Sequence, residues 1–127
     1  MNKKLINRVV ETARELADFT SASQRHFSFI VIRNKIICSG INRRDKTHPT
    51  ANRFNYYKNN IHSELAAILN WPSHNKDLRN TTMINVRLDY NSNIMLSKPC
   101  QFCQRLLAGF NFSQVYYSDD NGNFVQL

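Results

Sequence analysis

The stretch Ile61-His62-Ser63-Glu64-Leu65-Ala66-Ala67-Ile68-Leu69-Asn70-Trp71-Pro72 decides how this chain is read. Leu65, Ala66, Ile68 and Leu69 recur at helical spacing and supply a face to bury. Pro72 cannot continue a helix, so one is expected from Ile61 to Trp71. Its first turn carries a histidine and a carboxylate two positions apart, which therefore do not share a face. Alone, His62 reads as a surface histidine and Glu64 as an acid favoured by the helix dipole. Their meaning depends on what the rest of the chain brings to them.

Downstream lies Pro99-Cys100-Gln101-Phe102-Cys103. Pro99 sits where helices often begin and Gly109 where they often end, with Phe102, Leu106 and Leu107 able to face a core between them. Two cysteines three apart at a helix start can point to one centre, and the helix N-terminus favours thiolate. Zinc takes cysteine sulfur and histidine nitrogen, and His62 can supply the third ligand. Two thiolates and a neutral imidazole balance a divalent cation. No fourth protein ligand is evident. His48 is the best of the other histidines but sits in a long loop, and His26 and His74 are less well placed. Three ligands leave one position open, the mark of a catalytic zinc, and water there is acidified towards pKa ~7. Glu64, beside His62, can reach such a water and a ring nitrogen of a bound base. Amidine hydrolysis needs that proton traffic.

The elements around these motifs suggest the architecture. Leu5, Ile6, Val9, Val10, Ala13, Leu16 and Ala17 form one stripe of a helix from about Lys3 to Phe19. Phe27 to Ile32 and Ile36 to Ser39 read as strands joined by a tight turn at Arg33-Asn34-Lys35. Thr81 to Leu88 reads as a strand, with Ile84, Val86 and Leu88 alternating. Val115-Tyr116-Tyr117 and Phe124 to Leu127 follow, separated by the turn Asp119-Asp120-Asn121-Gly122. So short a link makes those last two strands antiparallel neighbours, because a parallel pair needs a crossover. The order α-β-β-α-β-α-β-β gives an α/β fold with one mixed five-stranded sheet covered by helices.

Both motifs in this order, H-x-E and then P-C-x-x-C, are the signature of zinc nucleobase deaminases. The sequence resembles the cytidine/deoxycytidylate deaminase superfamily along nearly its whole length. The resemblance implies a three-layer cytidine-deaminase-like fold and a single deaminase domain over residues 1–127. It implies Zn²⁺ held by His62, Cys100 and Cys103, with Glu64 as catalytic proton shuttle. It places Asn42, after the second strand, where the family's asparagine meets the substrate, and Ser63 where a small alanine is usual. Arg43, Arg44, His48, Ser63 and Pro99 complete the expected substrate contacts. Assembly into a homo-oligomer is implied by resemblance alone. Cys38, in an apolar strand, reads as a buried inert thiol.

Composition limits the function classes. The chain has 127 residues, 42% of them hydrophobic, which suits one ordinary globular domain. No apolar run approaches the roughly 20 residues needed to cross a bilayer, and the start resembles no signal peptide. An intracellular, cytoplasmic protein without membrane partners is expected. The net charge of +8 fits either a basic surface or an anionic partner. Arg43, Arg44, Lys46, Arg53 and Lys58 are mixed with His48, Phe54, Tyr56 and Tyr57, which suits phosphate contact with base stacking.

Two features bear on the substrate. The antiparallel ending resembles the free cytidine branch and several toxin-like or editing branches. The basic loop favours a phosphate or a polymer. The expected function is conversion of cytosine to uracil in a small nucleoside or nucleotide. Two alternatives stand beside it: a deaminase of single-stranded DNA or RNA, acting on cytosine or adenine, and an inactive zinc-stabilised nucleic-acid-binding module.

Overall fold

The amphipathic stripe near the N-terminus forms α1 (Lys3–Ala17), capped by the Asn2 side chain accepting from the Lys4 N–H. The computed structural model describes residues 1–18, 25–43, 48–54 and 61–127. β1 (Arg25–Ile32) and β2 (Lys35–Ile41) make the expected hairpin. Its turn works because Arg33 and Asn34 both take positive φ, 49° and 65°, matching the twist of the flanking strands.

The long polar segment holds a short helix that periodicity did not reveal, α2 (Pro49–Arg53). α3 (Ser63–Leu69), β3 (Thr82–Leu88), β4 (Ile94–Met95), α4 (Gln101–Gly109), β5 (Gln114–Ser118) and β6 (Phe124–Gln126) follow. The sheet order is β2-β1-β3-β5-β6. These are the five expected strands, and β4 adds a sixth on the side of β3. At two residues β4 is too short to show an alternation. β1 runs antiparallel to β2 and β3, β3 and β5 are parallel across the α4 crossover, and β5 and β6 are antiparallel as the short turn requires.

Two cores flank this sheet. On one face, Leu5, Val9 and Ala13 of α1 pack on Phe27, Phe29, Ile84, Val86 and Leu88. On the other, Leu65 and Ile68 of α3 and Phe102 and Leu106 of α4 pack on Ile30 and Met83. The result is three layers, helix–sheet–helices, as expected. At Gly40 in β2 a Cβ would lie 2.1 Å from the Ala67 nitrogen and 2.6 Å from the Ala66 carbonyl carbon. Only glycine lets β2 approach the α3 backbone that closely.

Candidate active site

His62 and Cys100 are the N-caps of α3 and α4, and neither side chain caps its own helix. Both turn to a shared point. The His62 Nδ1 lies 3.2 Å from the Cys103 Sγ and 3.6 Å from the Cys100 Sγ. All three ligand atoms lie within 4.8 Å of one another. The Phe102 ring meets the His62 imidazole edge-on, with centroids 5.7 Å apart. Cys103 is buried in the core and Cys100 faces solvent. One imidazole nitrogen and two sulfurs in so small a space fit Zn²⁺.

The two thiols differ in acidity. Cys100 is held down to about 4, first by the hydrogen bond from Cys103 and also by His62, against the effect of burial. Cys103 is pushed up by that same bond, by burial and by the Glu64 carboxylate nearby. Without metal the pair therefore reads as an exposed thiolate and a buried thiol.

Glu64, buried, lines a cleft of about 280 Å³ together with His26, Asn42, Arg43, His62, Ser97 and Lys98. Its carboxylate accepts from the Asn85 amide, Nδ2 to Oε2 at 2.9 Å, and from the Ser63 hydroxyl to Oε1 at 3.2 Å. The Ser28 hydroxyl donates to the Asn85 Oδ1 at 2.7 Å and lies 2.7 Å from the Ser63 Oγ. These four side chains are buried, none more than 6% exposed. Burial of so much polarity is tolerable because its members satisfy one another.

The rim carries opposite charge. Arg43 and Lys98, both exposed, line the same cleft as the carboxylate. Arg43 is fixed through its backbone, which exchanges hydrogen bonds of 2.8 and 2.7 Å with Ile61. That bridge ties the end of β2 to the residue before His62. Asn42 accepts from the His26 N–H through Oδ1 at 3.0 Å and donates its own N–H to the His26 carbonyl. It follows the end of β2 and lines the cleft. Burial, helped by Arg87 and His62, lowers the His26 pKa to about 4, leaving its imidazole neutral at physiological pH.

Some expected contacts lie elsewhere. His48 is not among the residues lining the cleft. It is the N-cap of α2, its Nδ1 accepting from the Thr50 N–H at 3.1 Å. Pro99 is buried just ahead of the Cys100 N-cap, and its carbonyl accepts from the Gln104 side chain. It directs the chain into α4 without facing the cleft. Ser63 is among the residues lining the cleft. Arg44, with Lys46, Tyr56, Tyr57 and Lys58, falls outside the described residues. Cys38 is half-buried, its thiol raised to about 11 by burial and 3.5 Å from the Ala67 carbonyl. It stays protonated and unreactive at neutral pH.

Sequence reading missed Ser28, Asn85, Ser97 and Lys98. The signal for Ser28 and Asn85 was a polar residue interrupting an apolar strand, at positions whose neighbours Ile30 and Met83 face the α3–α4 core.

Residues 2–119 match the family described as the cytidine and deoxycytidylate deaminase zinc-binding region. No curated protein matches the chain at a significant level. Among solved structures, the dCMP deaminase of cyanophage S-TIM5 in apo form is similar, with a TM-score of 0.62 and 14% identity over 94% of this chain and 86% of that one. The same enzyme in complex with dCMP and dUMP gives a TM-score of 0.64 and 14% identity over 96% of this chain and 89% of that one. At that identity the likeness establishes the fold.

Proposed function

The chain belongs to the cytidine and deoxycytidylate deaminase family and is a zinc-dependent deaminase, and from that premise we propose that it converts cytosine to uracil in a small nucleotide such as CMP or dCMP. The observation that carries this reading is the company the candidate metal ligands and the carboxylate keep in the cleft. The buried Glu64 carboxylate, His62 and Cys100 line it together with two exposed cations, Arg43 and Lys98, and Cys103 completes the ligand set from the core behind. About 280 Å³ is near the lower end of small-molecule sites and suits a pyrimidine with its sugar. A 5′-phosphate would then lie among the rim cations. The solved relative bound to dCMP and dUMP is consistent with that substrate class.

His62, Cys100 and Cys103 would hold the zinc. Zinc, when bound, supplies a water of lowered pKa at neutral pH. The remaining chemistry falls to Glu64. Its carboxylate takes a proton as water adds to C4 of the base and delivers it to the ring nitrogen. It then assists proton delivery to the amino group, which departs as ammonia and leaves the C4 carbonyl of uracil. Water is consumed and no oxidant is needed.

A single-stranded polynucleotide is the second reading, supported by the net charge of +8. The test is a deamination screen by mass spectrometry. Zinc-loaded protein is incubated with cytidine, deoxycytidine, CMP, dCMP and short single-stranded DNA and RNA, with Glu64→Ala as blank. Exchange of amine for carbonyl adds about 1 Da. Turnover of CMP or dCMP well above the nucleosides supports the proposal. Turnover of polymers alone sinks it and supports the second reading.

A further inference from the structure

We propose that Asn85 is the positioning residue for Glu64, with Ser28 locking the Asn85 amide in place. The inference rests on the reading of Glu64 as the proton carrier.

The argument begins with the ladder between β1 and β3. Ser28 and Asn85 are direct partners in its register. Side chains alternate along a strand, so both point to the α3–α4 side, beneath Ser63 and Glu64. All four contacts among Ser28, Ser63, Glu64 and Asn85 lie between 2.7 and 3.2 Å.

Hydrogen counting shows which contact is firm. An ionised carboxylate only accepts, so the Asn85 group facing it must be Nδ2 and not Oδ1. Ser28 has one hydroxyl hydrogen and spends it on the Asn85 Oδ1, which fixes the same orientation from the other side. Ser63 also has one hydrogen, and two acceptors compete for it: Glu64 Oε1 at 3.2 Å and Ser28 Oγ at 2.7 Å. The nearer acceptor wins much of the time. Asn85 is thus the dependable donor to Glu64. Its second amide hydrogen points to the Ser97 carbonyl at 3.4 Å, which steadies the amide further.

Glutamate has three side-chain torsions and loses considerable rotamer freedom when fixed. Here two strands at the centre of the sheet hold it. A group that moves protons must stay within a fraction of an ångström of its target, and small misplacements are costly. Removing Asn85 leaves Glu64 present but poorly aimed.

The experiment compares Asn85→Ala, Ser28→Ala and Glu64→Ala with the unaltered zinc-loaded protein. Ser118→Ala is the control: its buried hydroxyl bonds Ser97 and the Met95 carbonyl and does not reach Glu64. Asn85→Ala should lower kcat about 10- to 100-fold while KM and zinc per chain stay unchanged. Ser28→Ala should lower kcat less, in the same pattern. Ser118→Ala should lower the melting temperature and keep kcat. A second readout needs no turnover. The Asn85 side-chain amide resonances, identified by their loss in Asn85→Ala, should shift in Glu64→Ala. If Asn85→Ala does not fold, Ser28→Ala and the amide shift decide the matter. Full kcat in Asn85→Ala beside a dead Glu64→Ala overturns the proposal, as do amide resonances indifferent to Glu64→Ala. A silent unaltered protein refutes the substrate reading instead, and the amide shift then decides whether Asn85 holds Glu64.

Discussion

Ser28 and Asn85 stand opposite each other across the β1–β3 ladder, with the Ser28 hydroxyl 2.7 Å from the Asn85 Oδ1. The pair sits under the first turn of α3 and ties the candidate site to the centre of the sheet. The opposite faces of the same strands carry Phe27, Phe29, Ile84 and Val86 against α1. Both faces of each strand therefore build core, and one position on the α3–α4 face serves the site instead.

Glu64 is the residue this arrangement serves, and its loss should separate chemistry from folding. In Glu64→Gln the amide can still accept from Asn85 and fill the space, but it cannot carry the proton. General acid–base catalysis contributes typically about 10²–10⁴-fold. A fall in kcat of at least that size is expected, with zinc content and melting temperature close to those of the parent. Steady-state kinetics and metal analysis check it, and a fully active Glu64→Gln removes the proton role.

The two cysteines should differ in a way their sequence spacing does not suggest. Cys103 is fully buried among the residues of the α3–α4 core, whereas Cys100 is exposed. Either substitution by alanine should release zinc. In zinc-free protein, however, Cys103→Ala should cost about 1–2 kcal/mol through lost packing, whereas the cost of Cys100→Ala, which removes an exposed thiolate, should shrink as pH falls from 9 towards 4. Denaturant unfolding with chelator present measures both. A Cys100→Ala cost that does not change with pH would contradict the lowered Cys100 pKa. With zinc restored, the parent should gain stability that neither variant gains, because metal binding is also folding energy.

Much of this was legible because chemistry and period coincide. Helices α1, α3 and α4 show 3.6-residue stripes, and the metal-type residues fall at the starts of α3 and α4. The antiparallel β5–β6 pair follows from a turn too short for any crossover. What stayed hidden depends on pairing distant in sequence. Nothing local says that Ser28 faces Asn85, since they meet only through strand register. The role His48 takes in the fold was hidden for a related reason: a histidine in a polar loop gives no sign that Pro49 after it starts a short helix whose cap it becomes.

His26 should give a pH dependence of stability with a defined sign. Burial first, then Arg87 and His62, lower its pKa from 6.5 to about 4. Between those values the unfolded chain binds a proton that the folded chain does not. Stability of zinc-free protein should therefore rise from pH 4 to about 6.5 and lose this dependence above it, by about 3 kcal/mol at most. A bound divalent cation would push the same way. His26→Gln keeps the backbone bonds to Asn42 and removes the titration. The difference between the two unfolding curves should vanish in slope above pH 6.5, and parallel curves across the whole range would contradict the lowered pKa.

Gly40 offers the sharpest test of how the sheet positions the site. The nearest obstacles to a Cβ there are backbone atoms of Ala66, Ala67 and Ser63. None can swing aside as a flexible side chain would. Gly40→Ala must therefore push α3 away from β2, at a cost of about 3 kcal/mol or more. The displacement acts on the helix that carries Glu64 and begins at His62, so zinc affinity should fall with stability. Exposed Gly122, at φ 81° with nothing within 4 Å of its would-be Cβ, is the contrast. Gly122→Ala pays only for its left-handed backbone, about 1–2 kcal/mol, and should keep zinc affinity. Urea unfolding and zinc titration of the two variants separate the cases: a Gly40→Ala protein with parental zinc affinity would show that α3 is not set by its contact with β2.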